Sequence, residues 1–78
     1  MIAAPLLDVS AMSAAQLARR ARLNDAVIDL LGEMGPDDIQ MRDVADRSGV
    51  ALRTAYRYFS GKDHLLAAAL AAWHQRMA

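Results

Sequence analysis

The chain has 78 residues, enough for one small domain, with nine Lys and Arg against nine Asp and Glu and no cysteine. Disulfide staples and thiolate metal sites are excluded, and a chain that buries only ~60% of its unfolded surface must find its stability in helix packing or in a partner. Hydrophobic residues make up 55% of it, with only Tyr56, Tyr58, Phe59 and Trp73 aromatic, an alanine-rich composition that favours helix over sheet.

Residues 1–12 show no period and contain Pro5. They are expected to form a flexible arm, ordered only by a binding partner, ahead of a single domain over residues 13–78. Ser13 followed by Gln16 fits a capping box. Leu17, Ala21, Leu23, Val27, Leu30, Leu31 and Met34 then recur near the helical period, predicting a first helix of roughly 20 residues. Gly35 is expected to supply a left-handed stop, and Pro36 prevents continuation.

Asp37 or Asp38 can open the next turn. Met41, Val44, Ala45 and Ser48 share one face of a short second helix that starts near Gln40 and breaks at Gly49. Val50 leads into a third helix, about Leu52 to Tyr58, with Val50, Ala55 and Phe59 facing inward. Two short helices joined by a glycine-containing turn make a helix-turn-helix pattern. Ser60 is expected to open a fourth helix, with Asp63 completing a variant capping box and favouring the helix N-terminus. Leu65, Leu66, Ala69, Leu70, Trp73 and Met77 form its apolar stripe. No stop residue precedes Ala78, so the chain is expected to be a piece of a longer protein.

The neutral total conceals a polarised molecule. From Leu23 to Ile39 every charge is acidic: Asp25, Asp29, Glu33, Asp37 and Asp38. From Gln40 to Lys62 the bases Arg42, Arg47, Arg53, Arg57 and Lys62 outnumber Asp43 and Asp46, a local positive field of the kind nucleic acid attracts. No run approaches the ~20 apolar residues that span a bilayer, the longest being Leu65 to Trp73. The opening MIAAPLL lacks the basic start of a secretory signal. A cytoplasmic protein with no membrane contact is the expectation.

The stretch MRDVADRSGVALRTAYRYFSGKDHLL carries several spaced landmarks: Arg42-Asp43-Val44-Ala45, Gly49-Val50, Tyr56 to Phe59, and Lys62 with Leu65-Leu66. It resembles the DNA-binding segment of the TetR family of bacterial repressors, over about residues 20–73. The resemblance implies an all-α fold, a homeodomain-like three-helix core with its helix-turn-helix and a fourth helix. It also implies sequence-specific binding to double-stranded DNA, normally a palindromic operator, by a homodimeric transcriptional repressor. Release by a small-molecule effector, bound in a C-terminal domain outside this chain, is the family's usual regulation. The chain departs from the family pattern at three positions. Ala51 stands where Ser or Thr is frequent, removing a side-chain cap worth ~1 kcal/mol. Ala55 replaces a commoner Leu, and Gln40 a frequent Thr.

The residue types suit that chemistry on their own terms. Leu52, Arg53, Thr54, Tyr56 and Arg57 would occupy the exposed face of the third helix, where Arg can bond guanine O6 and N7 and a Thr methyl can touch thymine. Tyr56 and Tyr58 carry hydroxyls suited to phosphate oxygens. Lys62, at the start of the fourth helix, adds an ammonium to that helix's N-terminal field. By resemblance, Gln40, Met41 and Arg42 would approach the phosphate backbone.

Blander readings stand beside these. Arg42 could pair with Asp46, Arg53 and Arg57 could simply be solvated, and Tyr56 could be half in the core. Arg19, Arg20 and Arg22 read best as a solvated face, and Trp73 as packing between helices. His64 and His74 lie too far apart in sequence to form a metal site. No nucleophile, His–carboxylate pair or phosphate loop points to an enzyme, and no cofactor is implied. An alternative function is a helical protein-interaction module that docks through the alanine-rich fourth helix.

Overall fold

The structure, a computed structural model, describes residues 6–77. The first helix, α1 (Ala14–Leu31), starts as its sequence implies. The Ser13 hydroxyl accepts from the Gln16 N–H at 3.2 Å, and the Gln16 side chain accepts from the Ser13 N–H at 2.9 Å. Two orphan donors of the first turn are thereby satisfied reciprocally. Three further helices follow: α2 (Met41–Ser48), α3 (Leu52–Tyr58) and α4 (Lys62–Met77). Among the described residues there is no strand, so the all-α expectation is met.

The end of α1 differs from expectation. It stops at Leu31, with Gly32 as a right-handed cap, and Gly35 does not take the left-handed conformation. Glu33 N–H and Met34 N–H both donate to the Leu30 carbonyl at 2.9 Å. That carbonyl is satisfied before the chain reaches Gly35, so no left-handed stop is needed there. The connection then turns through Pro36 and delivers Ile39, which periodicity did not single out, into the core.

Leu23, Val27, Ile39, Val44, Phe59 and Leu65 are the largest fully buried side chains. α1 is the hub, packing on both α2 and α4, while α3 packs chiefly on α2. Phe59 lies just past α3, fully buried in the same core cluster as Ala55 and in ring contact with His64 of α4. Burying a phenyl ring contributes about 1.5–3 kcal/mol. Above it lies the Arg20 guanidinium, 5.3 Å from the ring centre. Arg20 is therefore half-buried packing over an aromatic face, not a member of a solvated row.

α4 also starts by another device than expected. The Ser60 N–H donates at 3.0 Å to Nδ1 of His64, not to Asp63. The His64 ring stands edge-on to Phe59, centroids 5.3 Å apart, a contact that holds the imidazole over Ser60. Leu65 and Ala69 of the α4 stripe enter the core, whereas Leu70 (56% exposed), Trp73 (44%) and Met77 (68%) do not. Trp73 instead lines a groove of ≈ 350 Å³ with Ile28, Leu31, Leu66 and Leu70, between α1 and α4.

Part of the expected arm is also placed. Leu7 and Met12 pack against the core, with a short 3-10 turn, Val9–Ala11, between them. Residues 1–5 of that arm lie outside the described residues.

Candidate nucleic-acid interface

The turn between α2 and α3 follows from Gly49. Its φ of 74° and ψ of 16° place it in the left-handed region, where a glycine carries no Cβ penalty. The Val50 N–H donates back to the Ala45 carbonyl at 3.1 Å and the Gly49 N–H to Asp46 at 3.4 Å, a Schellman closure with Val50 and Ala45 buried together. Ser48 Oγ accepts from the same Val50 N–H at 3.2 Å. The turn is tight and doubly bonded, so α3 leaves α2 at a fixed angle.

α3 starts at Ala51 without any side-chain cap bond, as the departure from the family pattern implies. Leu52, Arg53, Tyr56 and Arg57 lie along its exposed side and Thr54 is half-buried at its edge. Positions 52, 53, 56 and 57 are one helical face. Gln40 and Arg42 are exposed at the start of α2, and Lys62 is half-buried at the start of α4, its Nζ 3.4 Å from the Asp37 carbonyl. The Asp43 carboxylate accepts from the Gln40 N–H at 2.9 Å and so holds that end of α2.

Two of the expected contact residues, Tyr58 and Met41, are buried. Tyr58 is only 3% exposed and its hydroxyl faces Arg19, whose Nη1 lies 3.4 Å away. Its ring points into the core because position 58 falls opposite the exposed face of α3. Met41 is 5% exposed, and its side chain anchors α2 in the core. Arg19 is the residue that periodicity missed, since nothing local to it signals a partner 39 positions away.

Electrostatics sharpen the same surface. Among the described residues Arg42 makes no ion pair with Asp46. Arg47, counted in the basic window, is instead held at the end of α1: it donates to Asp29, and to both oxygens of Glu33 just past the helix at 2.7 and 2.9 Å. The hydrogen bond from Arg47 holds the Glu33 carboxyl below the usual glutamate range. The same contacts, first with Glu33 and then with Asp29, push the Arg47 guanidinium upward. Bidentate pairing of this kind adds geometry as well as attraction. Asp29 of α1 and Glu33 just beyond it thus share Arg47 on the flank of α2. Arg42, Arg53 and Arg57 remain without an ion-pair partner among the described residues.

Residues 23–69 match the profile of the family described as bacterial regulatory proteins, tetR family. Over 75 residues the chain is 45% identical to the HTH-type transcriptional repressor KstR of Rhodococcus jostii, covering 96% of this chain and 35% of that protein. It is 46% identical over 70 residues to KstR of Mycobacterium tuberculosis, covering 90% of this chain and 32% of that one. The HTH-type transcriptional regulator BetI of Brucella anthropi is 38% identical over 52 residues, with 67% and 27% covered. The chain spans about a third of the length of the curated repressors it matches. No solved structure matches it.

Proposed function

Because the chain belongs to the TetR family of bacterial DNA-binding regulators, we propose that α3 is its recognition helix and enters the major groove of a specific DNA duplex. The observation that carries this reading is the single exposed face of Leu52, Arg53, Tyr56 and Arg57, beyond a rigid turn and flanked by Arg42 and Lys62. Arg53 and Arg57 are the candidates for base edges, with Thr54 at the margin. Tyr56, Gln40, Arg42 and Lys62 are the candidates for phosphates, and the amides at the start of α2 would add to them.

In the whole protein this segment would serve a homodimeric repressor that reads a palindromic operator in the bacterial cytoplasm. A small-molecule effector, bound by a domain outside these residues, would release the DNA. Two observations support that extension: the coverage of about a third of the KstR repressors, and the exposed apolar side chains Leu70, Trp73 and Met77 on α4. The same exposed side chains favour the second reading, a helical module that docks on another protein.

The test is selection of duplexes from a random pool, followed by binding over a range of salt. Lys62→Ala should weaken all duplexes alike and flatten the salt slope by about one unit. Arg53→Ala or Arg57→Ala should weaken the selected duplex by roughly five- to 150-fold and relax the preference at particular positions. A protein that enriches no sequence, and whose three variants bind alike, sinks the reading.

A further inference from the structure

α3 is short and lightly held. It has seven residues, packs chiefly on α2, and has no side chain capping its start. A helix of this length leaves nearly all its terminal backbone groups unpaired, so its far end needs a partner from elsewhere. That partner is the segment ahead of α1. The Leu7 N–H donates to the Arg57 carbonyl at 3.0 Å, and the Leu7 side chain packs against the core.

The segment is braced along its length. The Asp8 carboxylate accepts from the Ser10 N–H at 3.1 Å and from the Ser10 hydroxyl at 2.8 Å. The Ala11 N–H donates to Asp8 and the Met12 N–H to Val9, at 3.0 and 3.2 Å. Met12 packs inward and Ser13 begins the capping box of α1. A continuous series of short-range bonds therefore runs from the first turn of α1 to the last turn of α3. Arg19 of α1, bonded to the Tyr58 hydroxyl, adds a second tie to the same turn.

We propose that residues Leu7–Met12 are a strap that positions the recognition helix, with the Leu7 amide on the Arg57 carbonyl as its fastening point. This rests on the reading of α3 as the DNA-contacting helix and adds a specificity-determining role for a segment outside the helix-turn-helix. Its chemistry follows from placement. Arg57 is both the residue whose carbonyl is held and an exposed base-reading candidate, so the strap sets where its guanidinium starts from. Phosphate contacts from Lys62 and Arg42 lie on other elements and do not depend on it.

Leu7→Pro deletes the amide donor, whereas Leu7→Ala keeps it and only trims the packing. Asp8→Ala loosens the 3-10 turn and leaves the Leu7 amide in place. Each variant of the full protein is measured against two probes: a duplex selected from a random pool by the wild type, and a random-sequence duplex of equal length. Far-ultraviolet circular dichroism and thermal melting monitor the fold. Leu7→Pro should lose about two- to tenfold in affinity for the selected duplex, the worth of one hydrogen bond, and less than about twofold for the random one. Leu7→Ala should retain most of the discrimination, and Asp8→Ala should fall between the two. Equal losses on both duplexes, or no loss in Leu7→Pro or Asp8→Ala, overturn the strap while leaving the recognition helix intact as an idea. A wild type that enriches no sequence overturns the DNA reading itself, and the strap's role with it.

Discussion

Gly49→Ala isolates one backbone conformation. A Cβ built at position 49 meets no atom within 4 Å, so the substitution introduces no clash. What remains is the φ of 74°, which costs an L-residue about 1–2 kcal/mol. Restricting the unfolded chain returns about 0.4–1 kcal/mol. The net loss is then about 1 kcal/mol, which for a domain of this size lowers the melting temperature by about 4–8 °C. Gly61→Ala is the control: no atom lies within 4 Å of its Cβ either, and its φ is not left-handed. It stands at the start of α4 and should lose only a few tenths of a kcal/mol, and Gly49→Asn should lose less than Gly49→Ala, because Asn tolerates this region. Thermal melts followed by circular dichroism, with urea titrations to check that the m-value is unchanged, provide the measurement. If Gly49→Ala melts with the wild type, or Gly61→Ala loses as much, the left-handed turn is not what the position demands.

Tyr58→Phe should leave affinity for a selected duplex within about twofold, while Tyr56→Phe, at an exposed position, should weaken it about two- to tenfold; gel-shift titrations of the two side by side show which hydroxyl reaches DNA. Phe59→Ala should remove about 3–5 kcal/mol, enough to leave a domain this small largely unfolded in a urea titration. Acid should loosen the α1–α2 flank. Because the bond from Arg47 holds the Glu33 carboxyl below its unfolded value, its contribution is complete above the ordinary glutamate range and is lost as pH falls through the lowered value. Glu33→Gln should therefore make the decline in melting temperature below about pH 4.3 shallower, and an unchanged acid limb would count against the pairing.

Much of the fold was legible because it rests on neighbours in sequence. The Ser13–Gln16 cap, the Met41–Ser48 helix, Gly49 and the Leu52–Tyr58 helix all depend on groups within one or two turns of each other. Misjudged ends had local rivals. Gly35 beside Pro36 gave the stronger local signal for a stop, but α1 ends at Gly32, where the carbonyl of Leu30 is satisfied first. Asp63 and His64 both stood within reach of Ser60, and the Phe59 ring favoured the histidine. The exposed face of α3 follows from spacing, and position 58 falls opposite it, yet the hydroxyl of Tyr58 invited an outward reading. Its amphipathic ring fits either side of a helix, and the core decides.

Order along the chain was enough to specify the helices, the turn between α2 and α3, and a basic window beside an acidic one, since these follow from periodicity, capping and charge at short range. Distant pairs were settled only by how α1 crosses its neighbours. Arg47 spends its charge on Glu33, 14 residues away, and Arg19 meets Tyr58 39 residues away. Arg20 lies over Phe59, and Leu7 fastens to Arg57. Each of these contacts joins groups that lie far apart along the chain, so no local pattern announces it. Packing brings them together, and with them the outline of the surface offered to DNA.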